Sequence, residues 1–300
     1  DLDRPVEFIP WQLEHPWMPL KEKAGTPPEE LLERIDILTD QRGHEAVAID
    51  IANLLPDSLC VRAWVDGITD ASDAVHLAAK HLELRQVTRV PTPTGDMGAD
   101  ALPDLGNAGL LRIDGSSNAR LWIDVLTRDL PAGKYSTTLH FRALTQGGAT
   151  WDVPIHWTVA PVTLPEAMPL HFCNWGYGFM KKFEHYQEAA LEDMQDHYTS
   201  VFPSLPLPTF VHDSSGKITH WPSWDHFDWY LERMRPQNVI LLPAYVLTPQ
   251  KGKAVPHSEA WKKAFAEMLP VLVKHLAEKG FGYERWAFYP VDEPGLRGGS

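Results

Sequence analysis

The chain has 300 residues, 44% of them hydrophobic and 22% charged, which is ordinary globular composition and enough length for two cores. With 27 Lys and Arg against 40 Asp and Glu, the formal charge is -13, and no basic run breaks that balance. The absence of a basic field excludes nucleic acid as a partner and favours an uncharged substrate. No stretch approaches the roughly 20 consecutive apolar residues of a membrane span.

The first residues, Asp1-Leu2-Asp3-Arg4, lack the basic and apolar regions of a signal peptide, and the chain does not begin with Met. A mature secreted or periplasmic form and a trimmed piece both fit that start, so the compartment stays open. From Pro5 to about Pro165 the apolar pattern has period two, as in Ala46-Val47-Ala48-Ile49-Asp50-Ile51 and Leu121-Trp122-Ile123-Asp124-Val125-Leu126. Further strand-like runs at 60–65, 81–90, 134–143 and 150–159 are separated by turn formers such as Asp66-Gly67 and Pro131-Ala132-Gly133. Many short strands at this spacing predict an antiparallel β-sandwich over residues 1–165. Within it, Thr26-Pro27-Pro28-Glu29 reads either as the start of a short helix or as an extended loop into a strand at 35–38. Cys60 and Cys173 fall in different halves, which predicts two buried free thiols.

Beyond Met168 the pattern becomes strand then helix, repeated. A strand at 169–175 precedes a helix at 184–202; a strand at 207–212 precedes a helix at 223–234, capped by Ser223. The nearly wholly apolar run Asn238-Val239-Ile240-Leu241-Leu242-Pro243 precedes a helix at 258–279 that ends at Gly280, and Trp286-Ala287-Phe288-Tyr289 supplies a fourth strand. Repeated βα units predict a parallel sheet, and the fold expected for residues 166–300 is the first half of a (β/α)8 TIM-type barrel. Such a barrel takes about 250 residues, so its other half would have to lie outside this chain or on another chain. An open four-stranded sheet is the alternative.

Active sites of such folds sit at the carboxyl ends of the strands. Strand four runs into Tyr289-Pro290-Val291-Asp292-Glu293-Pro294-Gly295, which sets two adjacent carboxylates between prolines at that end. A glycosidase needs such a pair: one carboxyl protonates the departing oxygen, and an ionised neighbour with partial burial raises its pKa for that task. The ends of the other strands offer Asn174, Trp175 and Tyr177, then His212 and Asp213, then Tyr245, as candidate substrate contacts. The 12 Trp, 8 Tyr and 11 Phe are a generous supply of rings for stacking on sugars, although aromatics serve the core more often than a ligand. His212 and Asp213 lack a third ligand at metal spacing, so no metal is expected. Neither a Gly-x-Ser-x-Gly elbow nor a phosphate-binding glycine loop occurs, which disfavours nucleotide chemistry and leaves no cofactor implied.

The chain resembles glycoside hydrolase family 123, the β-N-acetylgalactosaminidases, and the barrel proteins similar to them. The likeness runs from about Arg42 to Gly295 and rests on Ala101-Leu102-Pro103-Asp104-Leu105, Leu121-Trp122-Ile123-Asp124-Val125 and Leu130-Pro131-Ala132-Gly133-Lys134-Tyr135. Val162-Thr163-Leu164-Pro165 looks like the crossing into the second domain, and Asp292-Glu293-Pro294 is similar to the family's catalytic Asp-Glu. The resemblance implies a hydrolase of β-linked 2-acetamido sugars, of GalNAc or GlcNAc type, acting on an oligosaccharide or glycoconjugate by a substrate-assisted retaining mechanism. It implies further that Glu293 is the general acid/base and that Asp292 holds the substrate's acetamido group. Two other readings fit. One is a two-carboxylate retaining glycosidase with its nucleophile past residue 300, a class that more often has Asn where this chain has Asp292; the other is a non-catalytic glycan-binding protein.

Overall fold

The computed structural model describes residues 6–21, 23, 32–72, 75–76, 81–127, 130–146, 148–175, 185–203, 205, 208–243, 246–249 and 258–289. The chain divides into two compact units, Asp1–Leu164 and Pro165–Ser300.

Alternation of apolar and polar residues gives a strand one dry and one wet face, and the first unit is built almost wholly this way. Its strands are β1 (Phe8–Gln12), β2 (Ile35–Gln41), β3 (His44–Asn53), β4 (Leu59–Val65), β5 (Ile68–Asp70), β6 (Val75–His76), β7 (Leu82–Gln86), β8 (Thr88–Pro91), β9 (Met97–Ala101), β10 (Leu110–Ile113), β11 (Asn118–Leu126), β12 (Gly133–Ala143) and β13 (Thr150–Thr163). One sheet has the order β1-β3-β11-β7 and a second the order β10-β4-β12-β13-β2, with β5 and β6 attached to β12; β8 and β9 form a separate hairpin. All pairs are antiparallel except β13 with β2. The two sheets share one core, to which the first contributes Ile49, Ile51, Leu121 and Ile123 and the second Val61, Phe141, Ile155 and Trp157. Each such side chain contributes about 1.5–3 kcal/mol by leaving water. The indole N–H of Trp157, the largest of them, is satisfied by Thr39 Oγ1 at 2.7 Å.

Register on the wet face of the second sheet sets His140 opposite Asp152 on one side and Trp64 on the other. The imidazole stacks on Trp64 at 4.9 Å, with Nδ1 2.7 Å from Asp152 Oδ1 and Nε2 2.9 Å from Asp66 Oδ2. Only the protonated ring donates at both nitrogens. Partial burial opposes that charge, but the hydrogen bonds to Asp66 and Asp152 outweigh it and raise the His140 pKa above its ordinary 6.5. A raised folded pKa adds stability that is fully present below the unfolded pKa and disappears as pH rises through the folded one. The melting temperature of the wild type is therefore expected to fall relative to that of His140→Gln as pH is raised from 6.5. Parallel melting curves across that window would show that the ring carries no such charge.

The second unit contains β14 (Phe172–Cys173), α1 (Gln187–Asp196), β15 (Thr199–Phe202), β16 (Phe210–His212), β17 (Ile218–His220), α2 (Asp225–Leu231), β18 (Val239–Pro243), β19 (Leu247–Pro249), α3 (Glu259–Glu278) and β20 (Trp286–Tyr289). Ser258 caps α3, its hydroxyl accepting from the Trp261 N–H at 3.2 Å, and Gly280 at φ 80° follows its end. Between α2 and α3, Asp228 accepts from His275 at 2.6 Å and pairs with Lys279 at 2.9 Å, while Trp224 stacks on His275 at 3.9 Å. Burial works against the Asp228 carboxylate, yet the bonds from His275 and Lys279 hold its pKa below the ordinary range.

This unit does not fit the half barrel expected from the sequence. Among the described residues the structure is 46% strand and 18% helix, with three α-helices. Four parallel strands, in the order β14-β15-β18-β20, form one sheet, and β17-β16-β19 form another. The strand read at 207–212 is not a member of the parallel sheet: as β16 it pairs antiparallel with β17 and parallel with β19. The parallel sheet takes β15 instead, from the end of the stretch read as a helix at 184–202. Tyr198 at φ 62° breaks that helix, and the β-branched, aromatic run Thr199-Ser200-Val201-Phe202 continues as strand. With the barrel reading goes the need for a missing half on another chain. The helix expected at 223–234 is the shorter α2, and Ser223 lies outside it, bonded to the Asp225 N–H at 3.3 Å. Neither cysteine is the buried thiol expected: Cys60 is half-buried, and Cys173 is exposed on the two-residue β14 at the sheet edge. The stretch Thr26-Pro27-Pro28-Glu29 lies outside the described residues.

Candidate functional site

The amino ends of the parallel strands are fastened by polar side chains. Gln195 Oε1 accepts from the Arg235 N–H and from Asn238 Nδ2, both at 3.0 Å, and Arg235 returns a bond to Gln195 O at 2.9 Å. Arg285 donates to Arg235 O at 2.8 Å, Asn238 O at 3.2 Å and Gly280 O at 3.1 Å. These residues precede β15, β18 and β20, and they satisfy backbone carbonyls that the turns would otherwise strand. The amino end is thus built as a closure.

The carboxyl end carries aromatic rings. Asn174 and Trp175 follow β14 directly, and Tyr289 is the last residue of β20. Trp175 and Tyr289 therefore come from the two edge strands of the sheet, and their rings meet edge to face at 5.7 Å and 64°. Trp175 remains 39% exposed. In chain order β16 follows β15 and β19 follows β18, and β16 and β19 pair in parallel in the three-stranded sheet.

His212 ends β16 and is buried. Its Nδ1 lies 2.9 Å from Asp213 O, which places an N–H there, and Nε2 is a buried atom without a hydrogen-bond partner among the described residues. Asp213 forms the turn between β16 and β17: Oδ1 accepts from the Ser215 hydroxyl at 2.7 Å, the Ser215 N–H at 2.8 Å and the Lys217 N–H at 3.1 Å. The Ser215 hydroxyl bond is the largest cause of a carboxyl pKa below the ordinary range, followed by the Lys217 N–H. Asp213 is thereby an ionised turn residue, and this carboxylate oxygen is committed to its own hairpin.

Of the sequence candidates, the structure joins Trp175 to the aromatic corner and ties His212 to Asp213 through backbone. Tyr177, Tyr245, Asp292 and Glu293 lie outside the described residues. Tyr289 was not among the candidates; the available signal was its position, ending an apolar strand three residues before Asp292. Among the described residues no group of three or more His, Cys, Asp or Glu is placed to hold a metal ion. No helix among them is long and apolar enough to cross a membrane.

No family model matches the chain, and no curated protein matches it in sequence. Its fold is found in a solved structure, that of a family 123 glycoside hydrolase from Clostridium perfringens that hydrolyses glycolipid glycans. The TM-score is 0.65 at 13% identity, over 87% of this chain and 54% of that one. The chain thus spans about half the length of that neighbour. A PapD-like domain of human CEP192 matches 47% of the chain with a TM-score of 0.26, and the adhesive subunit CfaE of Escherichia coli matches 43% with 0.29. Those scores carry no argument about this fold.

Proposed function

We propose that this protein hydrolyses β-linked 2-acetamido sugars, of GalNAc or GlcNAc type, with retention and with the substrate's own acetamide as nucleophile. The reading is carried by the sequence position of Asp292-Glu293, three residues after the last residue of β20, in a chain that shares its fold with a family 123 glycoside hydrolase. The substrate of that neighbour is the glycan of a glycolipid. Support also comes from the rings of Trp175 and Tyr289 at the same end, whose faces suit the apolar C–H side of a pyranose.

In this mechanism the acetamide oxygen attacks the anomeric carbon while Glu293 gives its proton to the departing oxygen. Asp292 accepts a hydrogen bond from the acetamide N–H and offsets the positive charge of the bicyclic oxazolinium intermediate. Water, deprotonated by Glu293, then opens that ring from the face the aglycone left, so two inversions leave the configuration retained. A thiazoline that mimics the bicyclic intermediate tests this directly. It is expected to inhibit competitively at a concentration at least about 100-fold below the substrate KM, as intermediate analogues do. Inhibition no better than that by the free sugar would count against acetamide participation.

A further inference from the structure

The first unit presents an aromatic surface of its own. Leu13-Glu14-His15-Pro16-Trp17-Met18 follows β1 and turns at Pro16, with the Met18 N–H bonded to His15 O at 3.1 Å. Trp17 is 75% exposed, and its ring lies nearly parallel to that of His15, 5.4 Å between centroids and 2° between planes. A large indole this exposed is ordinarily mobile. Here the backbone on either side of it is fixed.

Arg120 of β11, itself buried, donates to Pro16 O at 3.2 Å and to Met18 O, the carbonyls on either side of Trp17. Buried Asp50 of β3 grips the same guanidinium at 2.6 and 3.1 Å. Downstream, Arg89 holds Leu20 O at 3.1 Å, and Asn118 holds Lys21 O at 3.2 Å and Lys23 O at 3.1 Å. A buried ion pair and two further side chains thus fix one surface segment, which exposes Trp17, His15 and Met18 together with the charged Glu14, Lys21 and Lys23.

The geometry points to a glycan-binding platform on the first unit, on which one face of a β-linked pyranose stacks against Trp17, backed by His15. The choice of occupant follows from size and charge. One indole and a methionine offer far less than the roughly 800 Å² per partner that a stable protein–protein contact buries. A net charge of -13 opposes an anionic membrane. A flat apolar ring with polar neighbours, here His15 and the exposed carboxylate of Glu14, matches a sugar, whose C–H face is dry and whose hydroxyl rim needs partners. Pre-fixed backbone removes the ordering cost that a weak ligand would otherwise bear.

The glycan class rests on the function proposed above, but its test is separate because stacking needs no acetamido group. Saturation-transfer NMR on the intact protein with N,N′,N″-triacetylchitotriose and with cellotriose is expected to detect both sugars. Trp17→Ala should weaken both about tenfold, the scale of one indole face withdrawn from a ligand, and Trp17→Phe should fall between. Retained cellotriose affinity in Trp17→Ala would overturn the platform, as would failure of the wild type to bind either sugar. Binding to phosphatidylcholine vesicles, or self-association lost with Trp17, in place of sugar binding would assign the surface to another occupant. Trp17-dependent sugar binding in a protein that hydrolyses no glycoside would uphold the platform and reject the catalytic reading.

Discussion

Glu293→Gln is expected to lower turnover of a β-linked 2-acetamido disaccharide by at least about 100-fold, the usual contribution of a positioned general acid. Gln keeps the shape of Glu but has no proton to give. The loss should shrink with a 4-nitrophenyl leaving group, whose oxygen departs with little protonation, because only the acid role of Glu293 is then spared. Asp292→Asn should behave differently: the acetamide must be oriented and the oxazolinium charge offset whatever leaves, so both substrates should suffer alike. Steady-state kinetics of the two variants on the two substrates separate the roles. Equal losses for Glu293→Gln on both leaving groups would remove it from the position of general acid.

Asp50→Ala is expected to cost about 3–5 kcal/mol of folding stability, the range for stripping one partner from a buried ion pair. Asp50 and Arg120 stand opposite each other on β3 and β11, with side chains only 5% and 4% exposed. Without the carboxylate, the guanidinium is left buried with two backbone carbonyls as its named acceptors. The double variant Asp50→Leu with Arg120→Met should recover much of the loss, since the uncompensated charge goes with it, while leaving the turn at Trp17 unpinned. Urea denaturation of the three proteins measures this. A loss below about 1 kcal/mol for Asp50→Ala, the scale of exposed pairs, would mean that the pair is hydrated in solution.

Much of the first unit was legible because alternation is a local signal: β3, β4, β11, β12 and β13 lie on runs whose period of two is plain. What the alternation hid is that β3 is buried on both faces from Val47 to Asn53. Asp50 occupies a position that period two assigns to solvent, and its partner Arg120 is 70 residues away, so nothing nearby announces a buried charge. In the second unit, periodicity failed at a boundary. Met194, Tyr198 and Phe202 keep helical spacing across the end of α1, yet Tyr198 adopts a left-handed conformation that no glycine marks. A short apolar strand and a short apolar stretch of helix look alike there, and the strand at 207–212 was assigned to the wrong sheet as a consequence. For Trp175 the strand end was legible in the sequence, and the structure adds that its ring lies against Tyr289. For Asp213 the sequence offered a polar rim residue, but Asp-Ser-Ser-Gly is also turn chemistry, and the hydrogen bonds show that use of it.

Turnover of paired 4-nitrophenyl β-glycosides that differ only at carbon 2, acetamido in one and hydroxyl in the other, tests the proposed chemistry most directly. With the acetamide oxygen as nucleophile, a 2-hydroxyl sugar has nothing to attack with, and Asp292 has no N–H to hold. The full-length protein is expected to hydrolyse the 2-acetamido substrate and to turn over its 2-hydroxyl partner at least about 100-fold more slowly. Comparable rates on the two would contradict substrate assistance and require a second enzyme carboxylate as nucleophile; no turnover of either, or of a β-linked oligosaccharide, would contradict catalysis altogether.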